Sequence, residues 1–171
     1  MCYGVYMNPI KCLVLSDSHG RVDLLRRAIG RQPTVDALIF LGDGLFDLEE
    51  VRSSVSPQTA IFAVRGNCDC ARDYLGTSVG KLDSITLGGK KIVFTHGDLY
   101  GVKYGLDGLV RLAENTGADI VLYGHTHKPC EQYLDGVYYF NPGTVGGGWD
   151  GSSCGVLTIT ENGVLFSFME L

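Results

Sequence analysis

The chain has 171 residues and a formal charge of −5, from 14 basic and 19 acidic side chains. The length is near one domain at roughly 150 residues each and lets folding bury about 70% of the unfolded surface, so neither a disulfide framework nor a structural metal is needed for stability. The charge excludes an electrostatic grip on nucleic acid, and 45% apolar against 19% charged residues excludes a disordered chain.

The predicted elements follow one another from residue 11. Residues 11–16 (KCLVLS) read as a strand that ends in Asp17-Ser18-His19-Gly20. Val22, Leu25, Ala28 and Ile29 then recur at helical spacing over residues 21–31. Residues 37–41 form a second strand ending in Gly42-Asp43-Gly44, before a helix over 46–53. A third strand, 59–64, delivers Gly66-Asn67-Cys68-Asp69. Gly88-Gly89 between 82–87 and 90–95 is a two-residue hairpin signal, and the second of these strands runs into His96-Gly97-Asp98. The spacing of Val102, Leu106, Leu109, Val110 and Ala113 predicts a helix over 102–116, stopped at Gly117. Residues 120–123 form a buried strand before Gly124-His125-Thr126-His127. The remainder, 131–134, 137–140, 154–160 and 164–168, reads as a β-meander with Asp135-Gly136 and Asn162-Gly163 as type I′ turns.

Strands alternating with helices imply a parallel sheet covered by helices, and the closing hairpins imply an antiparallel sheet packed on it. A single mixed α/β sandwich over residues 1–171 is expected. No stretch reaches 18 uninterrupted apolar residues, and residues 1–10 lack the pattern of an export signal, so no membrane contact is expected. The cysteines (Cys2, Cys12, Cys68, Cys70, Cys130, Cys154) are then expected to be free thiols in a reducing compartment, the cytoplasm.

All four histidines, His19, His96, His125 and His127, fall in strand-end loops, where functional groups gather in open α/β sheets. In Asp17-x-His19 and His125-x-His127 the i, i+2 spacing aims two side chains to one side of an extended backbone. With Asp43, Asn67 and His96 this makes seven candidate ligands, too many for one tetrahedral ion and suited to two ions sharing a carboxylate. Nitrogen and oxygen donors without thiolate favour manganese, iron, nickel, cobalt or zinc over magnesium or calcium. Two divalent cations against Asp17 and Asp43 leave a site that wants an anion, and a hydroxide formed at such ions attacks phosphorus in line.

In order, Asp17-x-His19, Gly42-Asp43-Gly44, Gly66-Asn67-x-Asp69, His96-Gly97-Asp98 and Gly124-His125-x-His127 resemble the calcineurin-like metallophosphoesterase superfamily, in its small bacterial and archaeal phosphodiesterase branch. The resemblance implies a four-layer αββα sandwich of two mixed sheets flanked by helices, and a binuclear centre. In it Asp17, His19, Asp43 and His127 hold one metal, Asp43, Asn67, His96 and His125 hold the other, and Asp43 bridges. The expected substrate is a small phosphate ester, more a diester than a monoester, because Cys68 stands where many relatives carry a histidine acid and a thiol substitutes poorly for imidazolium. Asp43, Asn67, Cys68 and Asp69 are the expected catalytic residues.

Several residues keep two readings. Asp69 and Asp98 either steady a ligand from behind or cap the following turn. Asn141-Pro142-Gly143-Thr144 either approaches the metals or is a turn. The run Gly146-Gly147-Gly148 before Trp149 reads as a flexible connection more than a substrate loop, Tyr138, Tyr139 and Phe140 as a packed strand, and a Ser18-His19 nucleophile pair is disfavoured because neighbouring side chains point apart. A non-catalytic interaction scaffold, as in a retromer subunit of similar fold, is the alternative to an enzyme.

Overall fold

A computed structural model describes residues 8–71, 73–74, 76–149 and 151–171, so Cys2 lies outside the described residues. The elements are β1 (Ile10–Leu15), α1 (Val22–Arg31), β2 (Ala37–Phe40), α2 (Leu45–Val51), β3 (Ala60–Ala63), the two-residue strands β4 (Asp73–Tyr74) and β5 (Thr77–Ser78), β6 (Leu82–Leu87), β7 (Lys90–Thr95), α3 (Asp107–Thr116), β8 (Ile120–Leu122), β9 (Pro129–Leu134), β10 (Val137–Pro142), β11 (Ser153–Thr160) and β12 (Gly163–Glu170). One five-stranded sheet runs β12-β11-β1-β2-β3 and the other β6-β7-β8-β10-β9.

Both sheets are mixed. β1, β2 and β3 are parallel, as are β7, β8 and β10, while β6, β9, β11 and β12 are antiparallel to their neighbours. The β-meander expected for the last third is therefore not formed. Its first hairpin extends the second sheet and its second hairpin extends the first. A hairpin is satisfied by any open strand edge, and local alternation carries no information about which edge that is.

Alternation along the strands builds four layers. In β1, Leu13 and Leu15 pack with Leu25, Ile29, Leu45 and Leu48 of α1 and α2. Cys12 and Val14 face the other way, and with Ile39, Ile92, Phe94, Ile120, Leu122 and Phe140 they fill the space between the sheets. The outer face of the second sheet, Val93, Val121 and Tyr139, buries Leu109, Leu112 and Ala113 of α3. A side chain of this size removed from water contributes about 1.5–3 kcal/mol, so these three apolar layers hold the molecule together.

Two local expectations shift. The helix foreseen from Val102 begins at Asp107, because Gly101 (φ +66°) and Gly105 (φ +151°) hold backbone that a helix cannot use. Val102 instead packs on Gly97, where an added Cβ would lie 2.9 Å from its side chain. The turn after β11 comprises Glu161 and Asn162, neither with positive φ, and Gly163 (φ +139°) opens β12 opposite Thr160, so Asn162-Gly163 is not the turn pair. Tyr139 and Phe140 are buried in β10, a packed strand as read. Among the described residues no helix is long and apolar enough to cross a membrane.

Candidate metal centre

The parallel strands β1, β2, β3, β7 and β8 end at one edge of the sandwich, and the five loops that follow carry Asp17 to His19, Asp43, Asn67, His96, and His125 to His127. Six described non-glycine residues have positive φ, and five of them are Asp17, His19, Asp43, His125 and His127. That region costs a non-glycine residue roughly 1–2 kcal/mol, and such strain clusters where function requires it. It also corrects the spacing argument, since these residues do not lie on extended backbone. His125 and His127 diverge: His125 Nδ1 reaches His96 Nε2 at 3.1 Å, while His127 Nε2 reaches Asp17 Oδ1 at 3.1 Å.

The side chains form two sets, linked by a third group of His19, Asp43 and Cys68. Asp17, His19 and His127 offer ligand atoms within 4.8 Å of one another, and so do Asp43, His96 and His125. His19 Nε2 lies 3.3 Å from His127 Nε2 and 3.6 Å from Asp17 Oδ1. Asp43 Oδ2 lies 3.3 Å from His96 Nε2 and 4.0 Å from His19 Nε2, between the two sets. Asn67 Oδ1 is 3.2 Å from His96 Nε2. All seven expected ligands are thus brought together. The loops meet this closely only because glycine stands opposite the carboxylates: a Cβ on Gly66 would lie 2.0 Å from Asp43 Oδ1, and one on Gly124 2.8 Å from Asp17 Oδ2.

Supporting hydrogen bonds orient the cluster. His96 Nδ1 lies 2.8 Å from the Leu41 carbonyl, which only accepts, so Nδ1 carries a proton and Nε2 is the nitrogen that faces the cluster. The Asp69 carboxylate takes N–H groups from Asp43 and Gly66 on Oδ2 and from Gly44 and Leu45 on Oδ1, all at 2.8–2.9 Å. It therefore caps the start of α2 and ties down the loop bearing Asp43. Lys81 Nζ donates to Asp98 Oδ2 at 2.7 Å, and Asp98 Oδ1 is buried without a hydrogen-bond partner among the described residues. Cys68 N donates to Asp43 Oδ1 at 2.7 Å, and Asn67 Nδ2 faces Cys68 Sγ at 3.2 Å, which puts the thiol at the rim.

Asn141-Pro142-Gly143-Thr144 acts from behind. Asn141, fully buried, donates to Gly124 O at 2.9 Å and Thr126 Oγ1 at 3.0 Å, and Thr144 Oγ1 donates to Asp17 O at 2.8 Å. Asp47, which sequence reasoning missed, accepts from Ser18 Oγ at 2.5 Å and Gly20 N at 2.8 Å, anchoring the Asp17–His19 loop to α2 and leaving Ser18 no nucleophilic role. The available signal was a carboxylate among apolar residues in the first turn of a short helix, since such groups are almost never buried without partners.

Burial pushes the Asp17 carboxyl up, but the facing imidazoles of His127 and His19, the charge of His96 and the Ser16 hydroxyl outweigh it and hold the group well below the carboxylate range. Asp43 behaves alike, burial being overcome by His96 and the Cys68 amide to leave it at about 2. His19 is raised chiefly by the Asp17 carboxylate that faces it. His96 is raised because Asp43 and Asp17 outweigh its burial, whereas burial, His96 and Lys103 lower His125. The thiol of Cys68 is pushed up to about 11, first by its contact with Asp43.

The donor set fits divalent cations. Asp17 Oδ2 is satisfied by Ser16 Oγ at 2.5 Å and His125 N at 3.0 Å. Asp17 Oδ1 is buried without a hydrogen-bond partner and turns toward three imidazoles. A buried carboxylate oxygen left so costs several kcal/mol unless a charge meets it.

A family model described as the calcineurin-like phosphoesterase superfamily domain matches residues 10–162. The chain belongs to this superfamily. It is 35% identical over 134 residues to a probable metallophosphoesterase, YsnB, of Bacillus subtilis, covering 78% of this chain and 73% of that one. A solved structure of a novel archaeal phosphodiesterase superposes with a TM-score of 0.78 at 26% identity, covering 95% of this chain and all of that one. Vacuolar protein sorting 29 from Cryptosporidium parvum shares the fold alone, with a TM-score of 0.75 at 16% identity over 95% of this chain and 98% of that one. Calcineurin-like phosphoesterases use divalent metal ions, and the family assignment makes this chain a metal-dependent phosphoesterase.

Proposed function

We propose that the protein hydrolyses a small phosphodiester at two divalent cations held by the strand-end loops. The observation that carries this reading is Asp17 Oδ1, buried and without a hydrogen-bond partner where His19, His96 and His127 converge. Asp17, His19, Asp43 and His127 would hold one ion, and Asp43, Asn67, His96 and His125 the other. Asp43 is the shared ligand, since its Oδ2 stands between the two groups of imidazoles. When bound, the ions supply charge for the phosphoryl oxygens and lower the pKa of water to about 7, so that hydroxide is available for in-line attack at neutral pH.

The chain's own groups orient this chemistry. His96 keeps its proton on Nδ1, Asp69 holds the backbone of Asp43, and Asn141 and Thr144 hold the backbone around Asp17, Gly124 and Thr126. The Cys68 thiol, at about 11, stays protonated and adds no negative charge beside Asp43. Such a weak acid protonates an alkoxide leaving group poorly, which supports aryl or other activated diesters over alkyl monoesters. Manganese is the first choice of ion, ahead of iron, nickel, cobalt and zinc. The free thiols of Cys12, Cys68, Cys70, Cys130 and Cys154 fit a cytoplasmic setting. The fold shared with the sorting protein would serve an interaction scaffold equally well, and the seven-residue cluster is what favours turnover.

The test measures bound metal and turnover of bis(p-nitrophenyl) phosphate and p-nitrophenyl phosphate for the wild type and Asp43→Ala. Two ions and diesterase activity, both lost in the variant, are expected. Undiminished turnover after complete chelation would defeat the proposal.

A further inference from the structure

A cleft of about 220 Å³ opens from the His125 and His127 side of the metal cluster, where these two residues line it together with Thr126, Lys103, Lys128 and Trp149. Its volume is below the roughly 300–1,000 Å³ of sites that enclose a whole small ligand, so it takes one arm of a molecule whose other part sits elsewhere. The inner wall is rigid, since Thr126 Oγ1 accepts from Asn141 Nδ2 at 3.0 Å and from Lys128 N at 3.3 Å. Trp149 is displayed on a tight turn, Gly148 to Gly151, closed by reciprocal backbone bonds of 3.0 and 3.2 Å, and its indole is fully exposed. The lysine ion pairs among the described residues are Lys81–Asp98 and Lys90–Asp119, so Lys103 and Lys128 are not matched with carboxylates there.

We propose that this cleft binds the nucleotide arm of the substrate, the base stacking on Trp149 and a second phosphate resting between Lys103 and Lys128. The proposal rests on the phosphodiesterase reading and names its substrate class, a nucleoside diphosphate whose terminal phosphate is esterified. An indole face stacks any base, and two ammonium groups in a chain of charge −5 select an anion. Cleavage consumes one water. Its oxygen bonds to the phosphorus at the cluster, the bond from that phosphorus to the bridging oxygen breaks, and the bridging oxygen leaves with the lysine-bound phosphate. The two monoester products and the solvent take up the two protons of the water.

Trp149 is the single tryptophan of the chain, so its fluorescence reports this cleft alone. Titrating the zinc-loaded protein with ADP is expected to quench it, with a dissociation constant about tenfold or more below that of adenosine. Lys103→Ala/Lys128→Ala should bring the ADP constant up to that of adenosine. No quenching by millimolar ADP, or an ADP constant unchanged in the double variant, overturns the assignment. Hydrolysis of bis(p-nitrophenyl) phosphate by the same preparation separates the two readings. Turnover without ADP quenching sinks the cleft alone, and lysine-dependent quenching without turnover supports the cleft and sinks the hydrolase.

Discussion

Asp69→Asn separates holding the loop from acting on substrate. The native carboxylate accepts four backbone N–H groups, two on each oxygen, from Gly66, Asp43, Gly44 and Leu45. The amide keeps one accepting oxygen and turns an N–H₂ group at the other two donors, so two N–H groups lose their acceptor. At about 1–3 kcal/mol for each, the loss is roughly 2–6 kcal/mol. For a domain of this size 1 kcal/mol shifts Tm by about 2–4 °C, so circular dichroism of the metal-free variant should show Tm lower by roughly 4–24 °C. Because Asp43 sits on the released loop, metal affinity measured by calorimetry should also fall about 10–100-fold. A variant with wild-type Tm and affinity that had nonetheless lost turnover would refute this and make Asp69 a group that acts on the substrate.

Four further outcomes follow from the same geometry. Chelation should abolish turnover and lower Tm, and a cation at 100 times its dissociation constant should restore about 2.7 kcal/mol, read as recovery of Tm on adding manganese. His127→Ala should weaken the Asp17–His19 side of the cluster, cutting bound metal from two equivalents to about one by elemental analysis. Cys68→His should gain activity on p-nitrophenyl phosphate relative to the diester, and an unchanged ratio would remove Cys68 from the explanation of leaving-group preference. The pH dependence has two limbs in the metal-free protein. Asp43, depressed from 3.8 to about 2, lends stability that is present above pH 3.8 and disappears as pH falls toward 2. His19 and His96 are raised above 6.5, so their contribution is complete below 6.5 and lost as pH rises through their folded values. Cations need the deprotonated imidazoles, so the gap in Tm between loaded and metal-free protein should widen from pH 6 to 8, and a constant gap would contradict the ligand set.

Much of the chemistry was legible in the chain itself. Strand, loop and helix order follow from the period of the apolar residues, and the ligand types and their positions just past strand ends are local facts. That locality reached as far as the turns at Gly88-Gly89 and Asp135-Gly136, where two residues set the backbone for their neighbours. It failed where distant partners decide. Which edge each closing hairpin joins depends on strands outside it: Tyr138 of the first lies opposite Ile120 of β8, while Val156 of the second pairs with Leu13, more than a hundred positions away. The left-handed backbone at Asp17, His19, Asp43, His125 and His127 likewise comes from packed loops, with Gly146 N bonded to Asp17 O and Gly124 N to His96 O; Asp and His tolerate that region better than most residues but do not impose it. The roles of Asp47, Asp69 and Asn141 belong to the same class. A polar side chain shows in sequence what it can bond, but only the folded neighbourhood decides which backbone groups lack a partner and need it.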